Sequence, residues 1–271
     1  RRFLTLGNEA DVNETDVFRF LAEDEDSKVF TLYLEDVKGG ADFLPALAET
    51  ARRKPVIALK TGRTGSGQAA TASHTGALAG AHAAFRAACK QAGALEVESI
   101  QALFDAALAF AYQPRPCGDR IAIVTNAGGP AALAADTLES VGLRLARSAP
   151  ETQAALRPHV APDAQLGGPV DLLGGADERG YRAAMDAVLA DPNCDGVLAV
   201  LVPQVLVNPV AVVEAFGAAA AAQAGPRKPV VACLMGDVSL TAALASAHAL
   251  RLPAYTFPED AVRAMGALRQ R

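Results

Sequence analysis

Apolar residues are distributed along this chain in two alternating patterns. Short, nearly continuous apolar runs read as buried strands at residues 3–6, 29–34, 55–59, 94–97, 121–125, 143–145, 196–201 and 229–234. Between them lie stretches with apolar residues at helical spacing. The first, 17–22, sits behind the polar caps Asn13 to Asp16, and 41–53 carries Phe43, Leu44, Leu47 and Ala51 on one face. Further helices are expected over 76–91, 99–112, after Asn126-Ala-Gly-Gly-Pro130 to about Val141, from Pro150, and over 178–190, 209–222, 240–250 and 258–269. Strands that alternate with helices predict an α/β fold whose parallel sheets are covered on both faces.

The pattern also repeats. Phe20-Leu-Ala-Glu-Asp24 followed by Lys28 to Leu34 parallels Val188-Leu-Ala-Asp-Pro192 followed by Asp195 to Leu201. Arg53-Lys-Pro-Val-Ile-Ala58 parallels Arg227-Lys-Pro-Val-Val-Ala232, and Glu98 to Leu108 resembles Glu259 to Arg269. The proline-rich break Gln113 to Gly118 lies between the copies. Two related doubly wound domains are therefore expected, over residues 1–114 and 118–271. The first copy is the longer, and its excess falls in the polar stretch after Lys60. In such sheets, loops at the carboxyl ends of the strands hold ligands.

Composition narrows the possibilities. Half of the 271 residues are apolar, the net charge is −5, and Trp is absent. No basic stripe or set of aromatic platforms supports nucleic-acid binding. No apolar run reaches the ~18 residues of a membrane span. Cys89, Cys117, Cys194 and Cys233 are widely spaced, which fits buried thiols in a reducing cytoplasm better than disulfides or a zinc site. The first residues are strand-like and lack the build of a signal peptide, so the chain reads as a piece of a longer polypeptide.

The chemistry concentrates after Lys60. Thr61 to Gly67 is rich in Gly, Ser and Thr, and Ala72-Ser-His-Thr-Gly76 leads into small residues that read as a helix start. A helix start offers free N–H groups and partial positive charge to an anion. His74 is therefore expected to carry a phosphoryl group, with Thr75 and Gly76 holding it. The alternative is a surface loop whose polar residues cap a helix. A metal site lacks further ligands nearby. A phosphorylated imidazole needs one nitrogen free and the other held by an acceptor. Glu35, at the end of a neighbouring strand, is the candidate, or else an ordinary solvated carboxylate. Asn126-Ala-Gly-Gly-Pro130 is a second anion cradle or a tight strand-to-helix turn, with Asn126, Gly128 and Gly129 as its phosphate-binding residues. Asp171, Gly174 and Gly175 form a third polar loop on the same predicted edge, and Lys60 and Arg63 are candidate counter-charges. His82, His159 and His248 have plain surroundings and read as structural.

Ser73-His-Thr-Gly-Ala-Leu-Ala-Gly80, Asn126-Ala-Gly-Gly-Pro130 and Pro169-Val-Asp-Leu172 together resemble the NDP-forming acyl-CoA synthetases, the group of ADP-forming acetyl-CoA synthetase that is similar to succinyl-CoA synthetase. The resemblance covers essentially the whole chain and implies two consecutive flavodoxin-like domains. It implies that His74 is the phosphohistidine and Glu35 its orienting carboxylate. The turns at Gly76 and Gly128-Gly129 correspond to helix N-termini that face the phosphate from the two domains. Gly168 stands where such sequences often have Asn. The resemblance further implies a CoA-binding Rossmann domain and an ATP-grasp domain, in the same polypeptide or a partner subunit, and an oligomer. The complete enzyme would use acyl-CoA or CoA, phosphate, ADP or ATP, and Mg. The alternative is a non-catalytic acyl-CoA- or nucleotide-sensing module, for example one fused to a protein acetyltransferase.

Overall fold

The computed structural model describes the backbone of residues 2–7, 9, 11–37, 39–75, 82–236 and 238–270, and the side chains of all these except 71–75. The chain forms two compact units, Arg1–Ala111 and Tyr112–Gln270.

In unit 1 the order is α1 (Glu14–Ala22), β1 (Phe30–Leu34), α2 (Gly40–Arg53), β2 (Val56–Lys60), α3 (Gly65–Thr75), α4 (His82–Ala92), β3 (Leu95–Glu96) and α5 (Ile100–Tyr112). The three strands are parallel in the order β1-β2-β3, and β2 is buried along its whole length. Val56 and Ala58 face a core of Phe18, Phe43, Leu47 and Phe85 from α1, α2 and α4, where Phe43 lies 5.8 Å from Phe18 and 6.4 Å from Phe85 by ring centroids. Each of these large side chains contributes roughly 1.5–3 kcal/mol by its burial. Asn13 and Asp16 close a reciprocal capping box, so α1 begins three residues earlier than the apolar spacing predicts.

Unit 2 contains β4 (Arg120–Thr125), α6 (Gly128–Ser140), β5 (Arg144–Leu145), α7 (Pro150–Leu156), β6 (Val170–Asp171), α8 (Glu178–Ala190), β7 (Gly196–Leu201), α9 (Pro209–Ala221), β8 (Val230–Leu234), α10 (Thr241–Ala249), β9 (Ala254–Tyr255) and α11 (Pro258–Gln270). Its parallel sheet runs β5-β4-β7-β8-β9, with β6 also paired to β4. Ala122, Val124, Ala199, Leu201 and Ala232 pack on Tyr181, Met185, Val212 and Phe216 of α8 and α9. Helices α6 and α11 pack together, with α6 against β4 and α11 against β8. Tyr112 and Gln113 are anchored in this unit: the Tyr112 hydroxyl is 3.0 Å from His248 Nδ1, and Gln113 accepts the Val230 N–H at 2.9 Å.

Three expectations need correction. Residues 3–6 form no strand: Phe3 and Leu4 are 92% and 55% exposed, and no described strand pairs with them. The stretch expected as a loop before His74 is helical from Gly65, with the Thr64 hydroxyl accepting the Gly67 N–H at 3.1 Å and the alanines favouring the helix. Residues 76–81 of the helix expected over 76–91 lie outside the described residues, and the rest of it is helical in α4. The glycine loop at 166–175 contains β6, whose Val170 is buried beside Val124. Strand β9, too short for a pattern to reveal, completes the sheet.

Candidate active site

Strands β1 and β2 end side by side, with Leu34 opposite Lys60. Lys60 is only 2% exposed, and its Nζ donates to the Glu35 carbonyl at 2.8 Å. A buried ammonium requires such acceptors. The bond, with Thr61 N–H to Leu34 O at 2.9 Å, ties Glu35 to the point where the His74 segment leaves the sheet. Gly62 follows with φ +70°, a conformation that favours glycine. Arg63 is committed to Glu98, at 2.6 Å.

Helix α3 then carries the backbone of His74 and Thr75. The helix start expected at Gly76 lies outside the described residues. The side chains of His74 and Thr75 and all of Gly76 lie outside the described residues. His82 is held in the fold, with Nε2 2.6 Å from the Glu96 carboxylate.

In unit 2, β4 ends in Thr125 and Asn126. The Asn126 side chain accepts the Val202 N–H at 2.9 Å and donates to the Val202 carbonyl at 2.8 Å. At 3% exposure it clamps the ends of β4 and β7 and holds the turn between β4 and α6. Beneath it, the Tyr181 hydroxyl donates to Val200 O at 2.8 Å. Burial, and secondarily the Asp171 charge, hold that phenol well above its ordinary pKa, partly offset by the Asn126 backbone N–H. Beyond the clamp, α6 opens with exposed Gly128 and Gly129. Its N-cap residue, Ala127, makes no side-chain cap bond. Gly168, at φ +107°, is required where it stands, because a Cβ there would run into the Ala146 carbonyl.

The buried thiols are unsuited to nucleophilic work: burial pushes Cys89 and Cys233 up to about 12. Among the described residues no group of His, Cys, Asp and Glu could hold a metal ion, and no helix is long and apolar enough to cross a membrane. The hydrogen-bonded roles of Lys60 and Tyr181 were not read from the sequence. A lysine ending an otherwise apolar strand was the available signal for the first; the second had none.

Residues 1–110 match the succinyl-CoA ligase like flavodoxin domain, and residues 121–270 match the ligase-CoA domain. The chain is 37% identical to the alpha subunit of acetate–CoA ligase (ADP-forming) II of Pyrococcus furiosus, over 99% of this chain and 59% of the relative. It is 33% identical to 4-hydroxybutyrate–CoA ligase (ADP-forming) of Nitrosopumilus maritimus, over 98% of this chain and 38% of that protein. The dinucleotide-forming acetyl-coenzyme A synthetase 1 of Ca. Korarchaeum cryptofilum, solved with phosphate and ADP, superimposes with a TM-score of 0.90 at 31% identity, covering 98% of this chain and 57% of that one. The chain thus spans less than two thirds of the length of these relatives. With both halves matched in order, it belongs to the NDP-forming acyl-CoA synthetase family, of which it holds the two flavodoxin-like CoA-ligase domains.

Proposed function

We propose that this chain is the phosphoryl-relay part of an ADP-forming acyl-CoA synthetase. Phosphate attacks the acyl-CoA thioester, giving an acyl phosphate and free CoA. The His74 imidazole then attacks phosphorus, the P–O bond to the acyl group breaks, and the acid leaves. ADP takes the phosphoryl group from His74 to give ATP. The reverse sequence uses ATP to activate an acid. Glu35 holds the second imidazole nitrogen and balances the positive charge that develops on the ring. Gly128 and Gly129 bind phosphate oxygens through their amides. Thr75 and Gly76 hold the phosphoryl group.

The observation that carries this reading is the Lys60 bond to the Glu35 carbonyl, which fixes Glu35 where the His74 segment departs. The presence of both His74 and Glu35 favours the enzyme over a sensor, which needs neither. The rest of the machinery is a CoA-binding Rossmann domain and an ATP-grasp domain that takes the nucleotide with Mg, assembled as an oligomer in the cytoplasm. Labelled ATP given to the complete enzyme is expected to leave an acid-labile, base-stable phosphoprotein. His74→Asn should abolish the label; a variant that keeps it sinks the assignment.

A further inference from the structure

The open start of α6 has a carboxylate for a neighbour. Asp171 Oδ2 stands 3.3 Å from where a Cβ on Gly128 would lie, so any side chain there would press on the carboxylate, and glycine lets the two come this close without strain. Among the described residues, no hydrogen bond joins Asp171 to the amides of α6. Its Oδ1 accepts the Leu173 N–H at 3.0 Å, which leaves Oδ2 on the Gly128 side. The position is held firmly. Asp171 pairs with Thr125 in the sheet, Leu172 N–H donates to Thr125 O at 2.8 Å, and Asp171 exchanges backbone bonds of 2.8 and 3.0 Å with Gln165. Leu173 adopts φ +69°, a strained conformation for a leucine.

A carboxylate beside an anion site repels its ligand unless the ligand brings a proton to share. Hydrogenphosphate has such a proton. Sulfate, of the same shape and charge, has none at neutral pH. We infer that Asp171 is a specificity residue: it accepts the hydroxyl hydrogen bond of hydrogenphosphate bound at Gly128 and Gly129, and so admits phosphate while turning away sulfate and other fully deprotonated oxyanions. This rests on the reading of α6 as the phosphate site.

The test uses the complete enzyme in the direction that consumes acyl-CoA, ADP and phosphate. The readouts are the KM for phosphate and the inhibition constant of sulfate competing with it. In the wild type, sulfate should bind at least about tenfold more weakly than phosphate, the worth of one hydrogen bond between charged groups. Asp171→Asn keeps an oxygen for Leu173 and offers an N–H in place of the acceptor, so it should lower the sulfate-to-phosphate ratio about tenfold. An unchanged ratio overturns the proposal, as does a wild type that binds sulfate as well as phosphate. Gly129→Asp separates this from failure of the site itself. A Cβ there meets nothing within 4 Å, and an acidic first turn suits a helix, but the new carboxylate would occupy the cradle. A raised phosphate KM in Gly129→Asp with an unchanged Asp171→Asn ratio defeats the specificity role alone. An unchanged KM in Gly129→Asp defeats the α6 site.

Discussion

Glu14 is 3% exposed, and neither of its carboxylate oxygens has a well-formed hydrogen bond. Burial raises its pKa above the ordinary carboxylate range; its own backbone N–H works the other way, and Glu9 and Asp36 add repulsion. Asp195 is its opposite. Arg120 grips it through two side-chain bonds of 2.9 Å and a backbone bond of 3.0 Å, and these lower its pKa against the effect of burial. The two residues push stability in opposite directions with pH. Asp195 contributes stability above its unfolded pKa that is lost as pH falls through the folded value. Glu14 has a folded pKa above the unfolded one, so the unfolded chain gives up this proton first, and stability declines as pH rises across that interval. Glu14→Gln removes this charge and offers an N–H to the neighbouring unpartnered Glu9 oxygen, so it should stabilise unit 1 by about 1–2 kcal/mol at neutral pH, the order of cost of a buried unsatisfied polar group. It should also flatten the decline of its thermal transition from acid toward neutral pH. A transition that keeps the wild-type slope would mean that Glu14 is solvated in the native protein.

At the level of elements, α3 is built differently from the helices around it. Its sequence, Gly65-Ser-Gly-Gln-Ala-Ala-Thr-Ala-Ser-His-Thr75, has no large apolar side chain, and Gly65, Ser66, Ala69 and Ala70 are exposed. Most of a protein helix's stability comes from packing an apolar face, so α3 depends on propensity that its two glycines weaken. Gly65→Ala meets no steric obstacle and should stabilise the helix by about 0.5–1 kcal/mol. If α3 must unwind to deliver the phosphoryl group, this variant should lower kcat several-fold while His74 still becomes labelled. An unchanged kcat would mean that the helix moves as a rigid piece or stays in place. The same composition explains why α3 was not legible in the sequence: two glycines and several hydroxyls among small residues look alike in a loop and in an unpacked helix. Strands such as β2 and β7 were legible because burial on both faces leaves a continuous apolar run, and α2 and α8 because one packed face imposes helical spacing. The roles of Asn126 and Asp171 depend on which strand ends are neighbours. That is a property of the sheet and not of any local pattern.

At the scale of the whole molecule, a phosphoryl carrier needs a place to be loaded and a place to be discharged. The chain spans 57% of the length of the solved relative that was determined with phosphate and ADP. On the proposed reading, the nucleotide and the main part of CoA are held by the remainder. What this chain keeps is the nucleophile, its orienting carboxylate and a phosphate cradle. An acyl phosphate bypasses the thioester and brings its own leaving group, so loading from it requires only these parts. The isolated 271-residue chain, incubated with acetyl phosphate labelled in the phosphoryl group, should acquire acid-labile label at up to one equivalent. That label should persist when ADP is added and vanish in His74→Asn. Discharge to ADP by the isolated chain would show that the nucleotide station lies within it, and failure to load would show that orienting the donor also requires the remainder.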